Sequence, residues 1–280
     1  MQDIVEQGES PWLIIRFGST PCSGKNKRCV SLPVNASQPI EGLWMNQDTV
    51  LIEHHGARAN LILNRPAKRN ALTGPMMAAL RDAVNALAAD DSVHTILLHG
   101  AGGAFCSGLD LKAMNVEPRP DWVASMPKIW REANIALARC AKPIVGALEK
   151  YAINGGAPPA FACDYLVVGE SAYIQVGEVQ RGMAAPINLA WLQAKYAEAV
   201  SLRLALIGEP VGAAELLRLG VASQVVPDTQ VLVKAAEWAD KLAAYPPDAT
   251  QSLKRSIRSL SLAEPEAWFP KAQALAKPAG

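Results

Sequence analysis

From Val50 onward the apolar and polar positions fall into short regular blocks. Val50-Leu51-Ile52 and residues 59–63 are two brief apolar runs either side of His55-Gly56-Ala57-Arg58, a pattern that predicts two strands joined by a hairpin-like turn. Thr73 is placed to cap a helix that tolerates Pro75 in its first turn. Met76, Met77, Leu80, Val84 and Leu87 then recur on one face at helical spacing. Residues 93–98, 142–148 and 165–168 read as buried strands, the last two separated by a Gly-rich turn and a short helix. Residues 188–206, 212–219, 228–244 and 248–262 read as helices, with a strand over 223–226. Strands alternating with helices predict an α/β domain with covered sheets. Periodicity does not choose among the α/β folds.

The first 44 residues differ. Pro11, Pro21, Pro33 and Pro39 are scattered among Gly, Ser and Asn with no sustained helical or strand period. The apolar stretch Trp12-Leu13-Ile14-Ile15 is too brief for a signal-peptide core, and Asp3, Glu6 and Glu9 argue against an acid-poor transit peptide. The expectation is an irregular extension over residues 1–44, with Met45 as the native start.

Composition narrows the class further. The chain has 280 residues, 50% apolar and 19% charged, which suits one large or two small globular domains. A net charge of +1 provides no field to attract nucleic acid or an anionic membrane. Five widely spaced cysteines form neither a disulfide framework nor a CxxC metal signature, so a reducing, cytoplasmic setting and no metal are expected. No apolar run approaches the roughly 20 residues of a membrane span.

Four segments carry the chemistry. They are Asn64-Arg65-Pro66-Ala67-Lys68-Arg69-Asn70-Ala71-Leu72; Gly103-Ala104-Phe105-Cys106-Ser107-Gly108-Leu109-Asp110-Leu111-Lys112; Lys142-Pro143-Ile144-Val145-Gly146-Ala147 running on to Tyr151-Ala152-Ile153-Asn154-Gly155-Gly156 and Ala162-Cys163-Asp164; and Gly177-Glu178-Val179-Gln180-Arg181-Gly182. In this order and at these separations, residues 49–262 resemble the enoyl-CoA hydratase/isomerase (crotonase) family. The resemblance implies an α/β fold, a crotonase-type spiral of ββα units with C-terminal helices. It divides the chain into the 1–44 extension, a 45–240 spiral core with the acyl-CoA site, and a 241–280 C-terminal helical segment that looks shortened. It also implies an acyl-CoA substrate, no cofactor beyond the coenzyme A of that substrate, and a homotrimer or dimer of trimers.

The site residues follow by motif position. The backbone N–H groups of Leu109 and Gly155 match an oxyanion hole for the thioester oxygen, where one donor is typically worth about 3–4 kcal/mol. Glu178 matches one of two glutamates that hydratases of this family use, and its neighbours Val176, Gly177 and Val179 suggest a partly buried setting that raises its pKa. Arg69 matches a position near the CoA phosphates, with Lys68 and Lys112 as helpers. The histidines lie outside these segments, and Cys106 and Cys163 occupy positions for small buried residues. Among residues 114–130, Trp122 and Met126 belong to a region that walls the acyl pocket in relatives, while Trp130 reads as core.

Three departures bear on function. Pro158 stands where the other hydratase glutamate is expected, and it has no proton to transfer. Asn154 replaces the first glycine of a Gly-Gly-Gly turn, although Asn tolerates the left-handed conformation. After Leu262 the chain continues through Pro265, Pro270 and Pro278, where relatives carry a further helical stretch. One carboxylate suffices to move a double bond, so the pattern leans toward an enoyl-CoA isomerase, with a hydratase still open. A non-catalytic acyl-CoA-binding scaffold and another CoA-ester reaction remain the alternatives.

Overall fold

The computed structural model describes residues 13–15 and 49–276 of the chain. The expected extension over 1–44 and its start at Met45 lie outside the described residues, apart from Leu13–Ile15, which form strand β1. β1 pairs antiparallel with β2 (Val50–His55), and β2 pairs antiparallel with β3 (Arg58–Leu63), as the hairpin reading anticipates. β3 continues into a parallel ladder with β4 (Thr95–Gly100), β5 (Ile144–Leu148), β7 (Tyr165–Gly169) and β10 (Gln224–Val226), which completes a seven-stranded sheet. β6 (Tyr151–Ile153), β8 (Tyr173–Gln175) and β9 (Val211–Gly212) form a second, three-stranded sheet.

The two sheets reveal how the chain winds. β5 lies in the large sheet, β6 in the small one, and helix α4 (Ala157–Ala162) leads back; β7 and β8 repeat the step. Isolated parallel bridges Leu72↔Leu109 and Cys106↔Ala152 extend the same progression toward the N-terminal side. This is the expected spiral of ββα units.

The helices are α1 (Gly74–Ala89), α2 (Leu111–Met114), α3 (Trp122–Arg139), α4, α5 (Pro186–Lys195), α6 (Glu198–Ala205), α7 (Ala213–Arg218), α8 (Val231–Ala243), α9 (Pro247–Arg258) and α10 (Pro265–Leu275). Thr73 caps α1 through its side chain to the Met76 N–H, and Met76, Met77, Leu80, Val84 and Leu87 are all buried, each worth about 1.5–3 kcal/mol. Parallel strands covered on both faces send alternate residues to opposite sides. Ile96, Leu98, Ile144, Leu148, Leu166 and Val168 enter the main core, while Leu97, Val145, Ala147 and Val167 pack beneath α8. Gly146 is needed at the tightest point, since a Cβ there would stand 2.6 Å from both Cys163 Sγ and Leu166 Cδ1.

Tertiary contacts correct several sequence expectations. The 93–98 strand begins two residues later, at Thr95. The helix expected over 188–206 is two helices broken at Tyr196, whose backbone is extended (φ −130°, ψ 157°). The break is held from outside: Lys195 Nζ donates to the carbonyls of Phe161 and Cys163 at 2.6 Å each, and the Tyr196 ring sits edge-on to Phe161. α3 was masked in sequence by Pro118, Pro120 and Pro127. An interior proline costs a helix about 3 kcal/mol or more, and here the burial of Val123, Trp130, Ala133 and Leu137 opposes that cost. Pro265 likewise opens α10 instead of excluding it, and Phe269 of α10 packs edge-on against Trp191 at 5.5 Å. The C-terminal segment is therefore helical beyond Leu262, contrary to the reading of its prolines. α9 is tied to the core by Asp164, which accepts from Lys254 at 2.6 Å, Arg258 at 2.8 Å and the Ile144 N–H at 2.8 Å.

Candidate active site

The first two motif segments form one loop system. Asn70 is wholly buried and its amide makes three contacts, accepting from the Arg65 N–H at 2.8 Å and donating to the carbonyls of Ala101 (2.9 Å) and Ala104 (2.7 Å). Arg65 donates to Asp110 at 2.9 Å and to the Ala71 carbonyl. Asp110 in turn caps α2 by accepting from the Ala113 N–H at 3.0 Å. Burial alone would raise the Asp110 pKa, but the Ala113 and Arg65 hydrogen bonds and the Arg65 and Lys68 charges outweigh it and hold it below the usual range. Arg65 and Asp110 lie inside the first two motif segments, and their opposite charges were the one signal in the sequence for this pair.

The third segment runs beside the second. The Cys106 N–H donates to the Tyr151 carbonyl and the Ile153 N–H to the Cys106 carbonyl, at 3.0 and 3.1 Å. Gly108 takes φ +92°, and a Cβ on it would stand 2.8 Å from the Ile153 carbonyl oxygen. Glycine at 108 therefore serves both the left-handed backbone and the close approach. The approach brings together the two residues expected as oxyanion donors. A Cβ on Gly155 would lie 3.3 Å from the Leu109 side chain and 4.0 Å from its backbone nitrogen. Gly155 is the second residue of a one-turn 3-10 helix, Asn154–Gly156, where an N–H precedes the first intrahelical acceptor.

Glu178 opens a 3-10 turn, Glu178–Arg181, after β8. The turn is anchored by the Gly208 carbonyl, which accepts from Gln175 Nε2 and Gln180 Nε2 at 3.0 Å each. One carboxylate oxygen of Glu178, Oε1, accepts from Asn188 Nδ2 at 3.0 Å. The other, Oε2, is buried and has no hydrogen-bond partner among the described residues. Burial pushes the Glu178 carboxyl above the usual range, while its own backbone N–H, the Asn188 amide and the Arg181 charge pull the other way. The partly buried setting expected from its neighbours is present.

Two asparagines complete the site. Asn154 adopts φ +51°, the left-handed conformation anticipated for it, and its Oδ1 accepts the Gly177 N–H at 2.8 Å. Asn188, 2% exposed on α5, also donates to the Asn154 carbonyl at 3.1 Å. Asn188 was read only as the start of a helix. A lone amide amid Pro186-Ile187-Asn188-Leu189-Ala190-Trp191 was the one clue that it was needed on a buried face.

Lys68, Arg69 and Lys112 are exposed. The first two lie on the 3-10 turn Pro66–Lys68 and its left-handed cap, against Ser107, whose N–H donates to the Arg69 carbonyl at 3.1 Å. Lys112 follows on α2. Pro158 is buried in the first turn of α4, where a missing N–H costs nothing. Cys106 and Cys163 are buried, and burial pushes both thiols up to about 12, so neither is a poised nucleophile. His99 is buried within β4. Trp130 is buried in the core as expected, and Trp122 packs on Gly74. Among the described residues, no helix is long and apolar enough to cross a membrane.

Comparison with known proteins shows the family and the fold. The family model for enoyl-CoA hydratase/isomerase matches residues 53–274. Enoyl-CoA hydratase EchA19 of Mycobacterium tuberculosis is 36% identical over 214 residues, 74% of this chain and 79% of that protein. The 1,2-epoxyphenylacetyl-CoA isomerase of Escherichia coli is 30% identical over 203 residues, 71% of this chain and 78% of that protein. The crystal structure of an enoyl-CoA hydratase/carnithine racemase from Magnetospirillum magneticum superposes with a TM-score of 0.70 at 27% identity, covering 82% of this chain and 89% of that one. With a matching model across most of its length and a fold wound in the same way, this chain is an enzyme of the enoyl-CoA hydratase/isomerase, or crotonase, family.

Proposed function

We propose that the chain acts on an enoyl-CoA thioester, with the Leu109 and Gly155 N–H groups on the thioester oxygen and Glu178 as the single acid/base group. The observation that carries this reading is the partly buried Glu178 side chain, whose buried Oε2 has no partner among the described residues, together with a proline at 158. Such a site favours isomerisation. Glu178 takes the proton from C2 of a 3-enoyl thioester, and negative charge moves onto the thioester oxygen, where the two amides stabilise it. The same proton returns at C4, so the double bond moves to C2–C3 with no net gain or loss of atoms. A raised carboxyl pKa suits both halves of this transfer. Arg69, Lys68 and Lys112, exposed around the loop that carries Leu109, are the proposed cations for the CoA phosphates.

Hydration of a 2-enoyl thioester is the second reading, favoured by the hydratase name of the M. tuberculosis relative. It requires Glu178 alone to activate water and deliver the α-proton. Homo-oligomerisation is part of the proposal and is supported by exposed Leu253, Ile257 and Leu260 at the C-terminal helices, an apolar set suited to a partner surface.

Mass spectrometry with trans-2-enoyl-CoA and 3-enoyl-CoA offered separately tests the reading. Conversion of the 3-enoyl ester without mass change supports isomerisation, and gain of one water by the 2-enoyl ester supports hydration. Full turnover of either ester by Glu178→Gln would remove Glu178 from the chemistry.

A further inference from the structure

We infer that Asn188 is a positioning residue which, together with Asn154, locks the acid/base turn to the oxyanion turn and presents Oε2 of Glu178 as the oxygen that carries the proton. The inference rests on the reading of Glu178 as the acid/base group. Its basis is a closed circuit of hydrogen bonds. The Asn188 amide has two N–H bonds, and Nδ2 directs them to Glu178 Oε1 at 3.0 Å and to the Asn154 carbonyl at 3.1 Å. Asn154 Oδ1 closes the circuit on the N–H of Gly177, the residue before Glu178, at 2.8 Å. Asn154 is also the residue before Gly155. The proposed base therefore belongs to this circuit, and the proposed oxyanion donor Gly155 is one residue removed from it.

The amide orientation is forced by its surroundings. Rotating Asn188 by half a turn would set its oxygen against the Glu178 carboxylate and the Asn154 carbonyl, two acceptors facing a third. In the orientation present, Oδ1 of Asn188 is buried without a partner among the described residues. An alanine would fill the first turn of α5 and avoid that cost. Packing alone does not account for an amide here, whereas holding two acceptors at a fixed separation does. With Oε1 occupied, Oε2 is the carboxylate oxygen left to exchange a proton. The groups facing Glu178 are Asn188 from α5, Arg181 from its own turn, and the neutral Asn154–Gly177 pair.

The test compares Asn188→Ala, Asn154→Gly and Glu178→Gln on whichever enoyl-CoA ester the wild type converts. Asn188→Ala should lower kcat roughly ten- to a hundredfold, as misplacement of a reacting group does, with KM changed by less than about twofold. Its acid limb in kcat/KM against pH should move to higher pH, because the lost donor favoured the carboxylate. Asn154→Gly keeps a backbone that glycine accepts at φ +51° and does not touch the carboxylate, so it should lower kcat with the acid limb in place. A folded Asn188→Ala with wild-type kcat and acid limb overturns the inference. Should Asn188→Ala fail to fold, wild-type kcat in Asn154→Gly overturns it instead. Full activity in Glu178→Gln removes the underlying reading and this inference together, whereas an inactive Glu178→Gln beside an unaltered Asn188→Ala removes the inference alone.

Discussion

Arg65 Nη2 donates to Asp110 Oδ2 at 2.9 Å, and through this pair the loop after β3 holds the loop that carries Leu109. Both side chains are largely buried, 18% and 11% exposed, so water does not substitute for either partner. The backbone reinforces the link, since the Leu72 N–H donates to the Gly108 carbonyl at 2.7 Å and the Asp110 N–H to the Leu72 carbonyl at 2.9 Å. The loop that carries Leu109 is therefore built on an ion pair contributed by two motif segments.

Asp110→Ala removes the partner of Arg65 and the cap of α2 at once. A loss of about 2–4 kcal/mol is expected at neutral pH, from an uncompensated cation and a missing cap. Because the folded pKa of Asp110 lies below its unfolded value, its contribution is complete above the unfolded pKa and is lost as pH falls through the folded one. Urea unfolding of wild type and variant should thus differ at pH 7 and converge in acid.

Gly155→Ala and Gly108→Ala separate chemistry from folding. Gly155 has no positive φ, and its added Cβ would press on the Leu109 side chain at 3.3 Å, where the chain has room to yield a few tenths of an ångström. A folded protein is expected, with turnover reduced on the order of 10²-fold if, as proposed, the displaced amides hold the thioester oxygen. Gly108→Ala meets both φ +92° and a carbonyl oxygen at 2.8 Å, so it should lower the melting temperature as well as turnover. Paired thermal melts and steady-state kinetics check the contrast.

Glu178→Gln should be more heat-stable than the wild type at neutral pH. Burial raises the folded pKa of Glu178 above its unfolded value, so the folded protein holds the extra proton between the two and loses stability as pH rises through that window. Glutamine imitates the neutral acid without this cost. The two melting curves should coincide below the unfolded carboxyl pKa of about 4.3 and separate above the window. Calorimetry across pH measures it, and a destabilised variant at pH 7 would contradict the assignment.

Cys106 and Cys163 should resist alkylation in the native state. Both are buried, with thiols pushed up to about 12, so thiolate is scarce near neutrality. Peptide mass spectrometry after iodoacetamide treatment should find them unmodified in folded protein and labelled after denaturation.

Much of the molecule was legible along the chain. The β2–β3 hairpin, the Thr73 cap and the buried face of α1 follow from local periodicity, which depends on neighbours a few residues apart. Motif position singled out Gly155, Leu109 and Glu178, and the structure sets the first two side by side. α3 and α10 were not legible. Their prolines argue locally against a helix, and only packing on α1, α5 and Trp191 supplies the opposing energy. The helix break at Tyr196 was hidden for the same reason, since Lys195 is held by carbonyls more than 30 residues away.

Hydrophobic periodicity by itself determined the α/β class, because it depends on neighbours a few residues apart. The four motif segments, in their order, carried the resemblance that implied the family and its spiral. Tertiary structure alone decided that Asn188 would reach both Glu178 and Asn154, that Asn154 would hold Gly177, and that one carboxylate oxygen would have no partner among the described residues. Such contacts join residues 10 and 34 positions apart. An amide's partners depend on where the folded backbone brings its acceptors, and no local pattern encodes that.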